Sequence, residues 1–362
     1  MHNSQNFYIN SQAKLQRAID LIKQAKIVAL DTEFTRETTY YPILSIIQIA
    51  VKNLEGVKES FIIDCLCDVD LSDFLAIISD PKITKILHSC AQDLQIFNQL
   101  SGQMPQGVVD TQVMANFCEL GFNVGYSNLV ESLFGEQLDK KQQRSNWQIR
   151  PLSAKQIEYA LLDVFFLEEI YEKFLEILTQ KNRLNWFLEE MQNFVNKNLL
   201  KSDESLSKNF SFRGKSDAQI AKIKNLILWR EVWARKINVP RQHFIRDEIL
   251  ERMALGQEIT QNFTAEMSEE IREILHEKDF ALEEIILAKS EAPMTTKQKN
   301  LFSEGKNLIA KIAKTKNFQE QFLLTSSDLK KIICDKNSFD QIVTGWRRQV
   351  FGEELNQLIN LK

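Results

Sequence analysis

The first half of the chain alternates short apolar runs, rich in β-branched residues, with longer helical patterns. The strand-like runs are Lys26–Leu30, Ile43–Val51, Ser60–Asp64 and Ile83–Leu87. The helical patterns are Ala91–Leu100, Gln112–Leu120, Leu129–Phe134 and Ser153–Thr179. Strands followed by interleaved helices predict an α/β domain with a mixed sheet. The second run is expected to pair antiparallel with the first, because the connection between them is too short for a crossover helix.

The second half of the chain has no strand-like runs and is predicted to be entirely helical. A polar stretch without periodicity, residues 201–208, separates it from the first half and predicts a linker. A further break falls at Ser290–Pro293. We therefore expect three units, residues 1–205, 210–290 and 294–362. The two helical units have similar lengths, which hints at a duplicated small bundle.

Length and composition exclude several classes of protein. A chain of 362 residues with 44% hydrophobic content is long enough for two or three globular domains. No apolar run approaches the roughly 20 residues that span a bilayer, and no signal peptide is recognisable. The five cysteines are odd in number and scattered, which favours reduced thiols in a cytoplasmic protein over a disulfide framework or a zinc site.

The charge distribution leaves two interpretations of the helical half open. The net charge of −4 and the pI near 5.8 argue against a nucleic-acid binder that works by bulk electrostatics. Segments 213–252 and 297–348 are nevertheless locally basic. Each segment could hold phosphates on one face, or could be an ordinary solvated helix surface.

Asp31 and Glu33 directly follow the first apolar run. They are two residues apart at a predicted strand end, so both side chains leave the same face of the sheet. Adjacent carboxylates repel each other unless a cation lies between them, and no Lys or Arg is interleaved with them. The C-terminal ends of strands are also where open α/β sheets bind ligands. The pattern therefore indicates a divalent metal site.

Asp163 lies one turn after Tyr159 in a predicted helix that is apolar on almost every side. A carboxylate in such a helix needs an internal partner. Ser153 and Gln156 form a capping box that predicts where the helix starts. Considered alone, Asp163 is better explained as a structural polar contact, and only the other acids favour a functional role.

Asp93 is predicted in the first turn of a helix, behind a second potential capping box of Ser89 and Gln92. An acid at such a position is commonplace because it complements the helix dipole, so Asp93 alone indicates little. His88, just before the cap, is compatible with a core imidazole or with a side chain that faces the site. Together, four carboxylates from three segments suit a pair of hard divalent cations.

These segments carry a resemblance to a known family. The runs Leu30–Phe34, Leu87–Leu94 and Tyr159–Asp163 resemble the three exonuclease motifs of the DEDD superfamily, and the tyrosine is typical of its DEDDy branch. The flanking strings at 38–42, 110–112 and 146–152 are similar to those of the bacterial ribonuclease D family. The resemblance implies an α/β ribonuclease H-like exonuclease domain with a mixed sheet as the first unit. It implies two small all-α helical domains of the HRDC (helicase and RNase D C-terminal) type as the second and third units.

The resemblance also implies an activity and its cofactors. Members of the family are 3′→5′ exoribonucleases that release nucleoside 5′-monophosphates, and tRNA precursors and other structured RNA 3′ ends are the implied substrates of a monomeric enzyme. Two divalent cations, Mg²⁺ or Mn²⁺, are the implied cofactors. Asp31, Glu33 and Asp163 would hold the first cation, Asp31 would bridge to the second, and Asp93 would support that second ion. Tyr159 would orient the attacking water through its phenol oxygen.

Contacts with the substrate are implied for three neighbouring residues. The backbone of Thr32 and the ring of Phe34 would hold the terminal nucleotide, and His88 would contact it as well. Phe34 fits equally well as a core aromatic residue. Trp147 and Arg150 would border the RNA channel, although Arg150 is also compatible with an ordinary solvated position.

The basic and aromatic residues of the helical half have two interpretations. Trp229 and Trp233 are expected in the core, whereas some of the nearby cations, Arg230, Arg235 and Lys236, are expected to contact RNA. The run Trp346–Arg348 is interpreted in the same way.

Two other functions are compatible with the same four acids. Related domains with these acids trim DNA, so a 3′→5′ exodeoxyribonuclease is one alternative. A catalytically silent nucleic-acid-binding module is the other, and the complete set of acids argues against it.

Overall fold

The computed structural model describes residues 7–199, 206, 210, 212, 214–276 and 294–360. Its central feature is a six-stranded sheet in the order β1-β4-β3-β2-β5-β6. The strands are β1 Tyr8–Ile9, β2 Ile27–Thr35, β3 Ile43–Lys52, β4 Lys58–Asp64, β5 Thr84–Leu87 and β6 Val108–Asp110. β3 runs antiparallel to both β2 and β4, whereas the other pairs are parallel. The predicted mixed sheet and the antiparallel pairing of its first two long runs are confirmed.

Within residues 7–199, eight helices accompany this sheet. They are α1 Gln12–Ala25, α2 Ser72–Ser79, α3 Ala91–Ser101, α4 Thr111–Phe117, α5 Tyr126–Phe134, α6 Ala154–Phe165, α7 Leu167–Gln180 and α8 Leu184–Leu199. The prediction of one helix over Ser153–Thr179 is wrong, because α6 and α7 are separate helices that meet at Phe166. The capping box of Ser153 and Gln156 is present at the start of α6, as predicted.

The described part of the second half is helical, as predicted. Residues 214–276 contain α9 Asp217–Lys236, α10 Arg241–Phe244, α11 Asp247–Ala254 and α12 Ala265–His276. Residues 294–360 contain α13 Thr296–Lys316, α14 Glu320–Leu323, α15 Ser326–Cys334, α16 Phe339–Ile342, α17 Gly345–Arg347 and α18 Glu353–Asn360, with a 3₁₀ turn at Lys336–Ser338 and a π-helical turn at Arg348–Gly352. The predicted break at Ser290–Pro293 and, except for Leu206, the predicted linker lie outside the described residues.

The first helical unit has a hydrophobic core of its own, and this core includes Trp229 and Trp233. Both indole N–H groups donate to the carboxylate of Glu270, at 2.7 and 2.6 Å. The prediction that these tryptophans are core residues is confirmed. Arg230, by contrast, is only 2% exposed and its guanidinium pairs with Asp247 at 2.7 Å, so the expectation that it contacts RNA is wrong.

Other cations of this unit also have partners within the protein. Arg235 pairs with Glu231 one turn earlier at 2.8 Å and donates to the Tyr40 hydroxyl at 3.1 Å. Lys236 pairs with Glu266 at 3.1 Å. Because Tyr40 lies in the loop between β2 and β3, the Arg235 contact joins this unit to the sheet domain. These pairs leave Arg235 and Lys236 less available to phosphates than the sequence indicated.

The second helical unit shares the main hydrophobic core of the sheet domain. Trp346 is completely buried, and its ring centroid lies 5.1 Å from that of Phe117 on α4. Its backbone N–H donates to Glu189 on α8, and the neighbouring Arg347 pairs with Glu190. Arg347 of this run is therefore paired within the protein, to a helix of the sheet domain. Among the described helices, none has the length and apolar character needed to cross a bilayer.

Candidate active site

Strand β2 continues past the apolar run that predicted it. Asp31 and Glu33 lie within the strand, opposite Gln48 and Ile46 of β3, and the ladder reaches Thr35. The prediction that they stand at a strand end is wrong, because pairing with β3 extends the strand through polar residues. The prediction that they share a face holds, since they are two residues apart within a continuous stretch of register.

Helix α6 brings a third acid to this face of the sheet. Carboxylate oxygens of Asp31, Glu33 and Asp163 all lie within 4.8 Å of one another, and each side chain is half-buried. Tyr159 lies one turn before Asp163, and its hydroxyl opposes the rise that burial causes in the pKa of that carboxyl. Gln48, opposite Asp31, is fully buried, and its amide has no hydrogen-bond partner in the described part of the chain. No motif in the sequence pointed to Gln48.

The electrostatics of this cluster are unfavourable without a counter-ion. Burial, together with the charges of Asp93, Asp163 and Glu33, raises the pKa of Asp31 well above its ordinary value. Burial, together with the charges of Asp163 and Asp93, raises the pKa of Glu33 to about 9. Burial raises the pKa of Asp163 to about 7. Within the residues that the structure describes, no ion pair neutralises any of these acids.

Asp93 lies in the first turn of α3, as predicted, and is only 6% exposed. It accepts a hydrogen bond from the hydroxyl of Thr32, the residue between Asp31 and Glu33. Burial raises its pKa to about 6, although the Thr32 hydrogen bond opposes the shift. The structure therefore connects the second predicted motif to the first through a side-chain hydrogen bond.

The predicted capping box of Ser89 and Gln92 is wrong. Cys90 is the N-cap of α3, and no side chain caps this helix. The backbone of the turn before α3 is held instead by Asp110, which lies at the end of β6 and is 1% exposed. Its carboxylate accepts the N–H groups of Ser89 at 3.0 Å, Cys90 at 2.8 Å and Gln112 at 2.8 Å. Asp110 thus fixes the turn that precedes Asp93, a role that the sequence analysis missed.

The residues predicted to contact substrate lie beside the acids but in different environments. Thr32 is buried, and Phe34 is half-buried against the main core. His88 is half-buried, and its Nδ1 lies 2.9 Å from the Thr111 hydroxyl. Burial lowers the pKa of His88, so the imidazole is neutral at physiological pH.

The two residues expected to border an RNA channel both make contacts within the fold. Trp147 is 2% exposed, and its ring lies 6.0 Å from that of Tyr159. Arg150 donates through Nε and Nη2 to both oxygens of Asp64, at 2.8 and 2.7 Å, and also to the carbonyl of Ser45. The expectation that Arg150 is an ordinary solvated residue is wrong, because a tertiary ion pair occupies its guanidinium. That Arg150 borders an RNA channel stays a prediction.

The donor set of the cluster consists of carboxylate oxygens, which are the preferred ligands of hard divalent cations. Sulfur and imidazole ligands, which softer metals prefer, are absent from the group of acids that the described residues bring together. A cation at this position would relieve the mutual repulsion that raises the three pKa values. The residues present therefore fit a site for a hard divalent cation.

Comparison with known proteins agrees with this chemistry. The family model of a 3′-5′ exonuclease matches residues 6–179, which cover the sheet and helices α1 to α6 and most of α7. The mixed sheet, the acidic cluster and this match define an exonuclease with a ribonuclease H-like fold and a helical C-terminal region.

Its relatives define the family further. The chain is 30% identical to ribonuclease D of Gluconacetobacter diazotrophicus over 96% of its own length and 91% of that protein. It is 32% identical to ribonuclease D of Granulibacter bethesdensis, over 94% and 89% of the two chains. The crystal structure of Escherichia coli RNase D, described as an exoribonuclease involved in structured RNA processing, matches 98% of each chain with a TM-score of 0.78 and 26% identity. The chain belongs to the ribonuclease D family of 3′-5′ exoribonucleases.

Proposed function

We propose that this enzyme trims the 3′ ends of tRNA precursors and other structured RNA as a monomer, and releases nucleoside 5′-monophosphates. Asp31, Glu33, Asp93 and Asp163 hold two divalent cations, Mg²⁺ or Mn²⁺. The observation that carries the proposal is the group of three carboxylates within 4.8 Å of one another, with no cationic side chain paired to them among the described residues.

The acids and the cations have separate tasks in this proposal. When bound, the cations stabilise the charge that develops on the phosphate and lower the pKa of water. Asp31, Glu33 and Asp163 orient their oxygens towards a common point from two rigid elements, β2 and α6. Asp93 approaches from α3, and its hydrogen bond from Thr32 fixes its position relative to β2.

Tyr159 orients the attacking water by hydrogen bonding. Burial, together with the charges of Asp163, Glu33 and Asp31, raises the pKa of its phenol far above the ordinary value. The hydroxyl therefore stays protonated at neutral pH and does not act as a general base. The backbone of Thr32, the ring of Phe34 and the imidazole of His88 hold the terminal nucleotide.

The helical units complete the substrate path in this proposal. Residues 210–290 and 294–362 are two HRDC-like domains that follow the exonuclease domain at 1–205. The match to E. coli RNase D over 98% of both chains supports this assignment. Since Arg230, Arg235, Lys236 and Arg347 are paired within the protein, RNA contact falls to other basic side chains.

Product analysis on matched substrates tests the proposal. A 3′-extended tRNA and RNA and DNA oligonucleotides of one sequence are incubated with Mg²⁺ or Mn²⁺, and products are identified by chromatography. We expect nucleoside 5′-monophosphates from RNA, and loss of turnover by orders of magnitude in Asp31→Asn and Asp163→Asn. Glu158→Gln, an exposed acid on α6, is the matched control and should remain active. Preferential trimming of DNA, or binding of RNA without release of monophosphates, would contradict the proposal.

A further inference from the structure

The helix that carries Asp163 is interrupted three residues later. Helix α6 ends at Phe165, and α7 begins at Leu167. The segment has no glycine or proline at the break, and its apolar pattern favours one continuous helix. A break in such a sequence needs another cause, and inserted side chains are a known one.

The cause is the hydroxyl of Tyr126, the first residue of α5. The hydroxyl donates to the carbonyl of Leu162 at 2.8 Å and accepts the N–H of Phe166 at 3.1 Å. Leu162 and Phe166 are four residues apart, so these two groups would bond to each other in an uninterrupted α-helix. The phenol oxygen thus replaces one backbone hydrogen bond of the helix and satisfies both its donor and its acceptor.

The Tyr126 hydroxyl binds the helix next to one of the clustered acids. Leu162 immediately precedes Asp163, so the carbonyl that Tyr126 holds belongs to the same peptide unit as the Asp163 backbone nitrogen. The ring of Tyr126 packs against a small buried cluster that includes Ala29 of β2 and Val164 of α6. Tyr126 therefore bonds directly to the end of α6 and packs against a cluster to which both β2 and α6 contribute.

We infer that Tyr126 is a positioning residue, which sets the direction of the Asp163 carboxylate by interrupting its helix. The inference rests on the proposed metal-binding role of Asp163. Removal of the hydroxyl allows Leu162 and Phe166 to bond directly, which rotates the end of α6 and displaces the carboxylate. Changes behind a metal ligand commonly cost about 10–100-fold in metal affinity or activity.

The chain offers a close control for this test. Tyr171 is half-buried on α7, packs against the same small cluster, and makes no hydrogen bond through its hydroxyl in the described structure. Burial raises its pKa, as it does for Tyr126. Tyr171→Phe therefore removes a comparable hydroxyl without touching the helix junction.

The experiment compares Tyr126→Phe, Tyr171→Phe and wild type by Mn²⁺ calorimetry, steady-state kinetics on RNA and a crystal structure. We expect Tyr126→Phe to weaken Mn²⁺ binding about tenfold, lower kcat by about 10–100-fold with little change in KM, and contain a continuous helix from Ala154 to Gln180. Tyr171→Phe should match wild type. If Tyr126→Phe unfolds at the assay temperature, hydrogen exchange of the Phe166 backbone amide is measured in wild type instead. Mn²⁺ should slow this exchange.

Several outcomes overturn the inference while leaving the proposed function intact. These are wild-type Mn²⁺ affinity in Tyr126→Phe, equal defects in both tyrosine variants, or exchange at Phe166 that does not respond to Mn²⁺. Asp163→Asn is measured in parallel, and it distinguishes failure of the inference about Tyr126 from failure of the proposed function. Wild-type Mn²⁺ binding and turnover in Asp163→Asn would contradict the proposed function itself.

Discussion

Neutralising Asp163 should stabilise the metal-free protein while it abolishes activity. Burial raises the pKa of this carboxyl from 3.8 to about 7. The folded chain therefore binds more protons than the unfolded chain between these two values, and the stability that the protonated group contributes is lost as the pH rises through 7. At pH 8 the ionised group destabilises the fold, and Asp163→Asn removes this effect without changing the size of the side chain.

The magnitude follows from the shift in pKa. Raising the pKa of Asp163 from 3.8 to about 7 corresponds to about 4 kcal/mol in the free energy of unfolding. Solvent reaches the half-buried side chain, so we expect about half of that value, on the order of 2 kcal/mol, at pH 8. The same linkage predicts a difference below about 1 kcal/mol at pH 5, because most of the wild-type carboxyl is then protonated in the folded state.

Urea denaturation in EDTA at pH 5 and pH 8 measures this difference directly. Glu158→Gln, on the exposed face of the same helix, should change stability little at either pH. Added Mn²⁺ should stabilise wild type, since it binds only the folded chain, and should stabilise Asp163→Asn much less. The reasoning is refuted if Asp163→Asn is no more stable than wild type at pH 8 in EDTA, or if its advantage does not depend on pH.

Three further substitutions test separate contacts. Tyr159→Phe should lower kcat by about 10–100-fold, less than the aspartate variants, because the phenol orients water and does not ionise; a loss as large as theirs in steady-state assays would contradict this. Asp110→Ala should lower the free energy of unfolding by about 3 kcal/mol or more in urea, because three N–H groups lose their acceptor, and a loss below about 1 kcal/mol would show that water replaces it. Gly345→Ala should cost about 2–4 kcal/mol by the same measurement, since its φ of +49° is unfavourable for alanine and the added Cβ would displace the Glu189 carboxylate that receives the Trp346 N–H. Near wild-type stability of Gly345→Ala would mean that this junction adapts.

Local signals in the sequence predicted local structure well. The antiparallel pairing of β2 with β3 followed from a short connection, and the capping box of α6 followed from Ser153 and Gln156, which are three residues apart. The same logic failed at Ser89 and Gln92, because the acceptor for this turn is Asp110, about 20 residues further along the chain. Sequence spacing cannot reveal a partner that only the fold brings near.

The break between α6 and α7 has the same explanation. The hydroxyl that we infer to be its cause, that of Tyr126, lies 36 residues before Leu162 and 40 before Phe166, and the break itself contains no glycine or proline. Arg150 and Arg230 also look like free cations in the sequence, yet each finds its carboxylate partner through tertiary contacts. Contacts of this kind decided most of the corrected predictions.

Asp64, which is paired with an arginine, provides a comparison for the clustered acids. Asp64 is almost fully buried, and the Arg150 guanidinium and the Tyr8 hydroxyl hold its pKa at about 2, below the ordinary value. Asp31 and Asp163 have their pKa values shifted in the opposite direction, although they belong to the same domain. Within this domain Asp64 is thus paired with a cationic side chain, that of Arg150. A group of carboxylates that receives no cation from the described residues is destabilising in the free protein, and the proposed binding of divalent cations would relieve this repulsion.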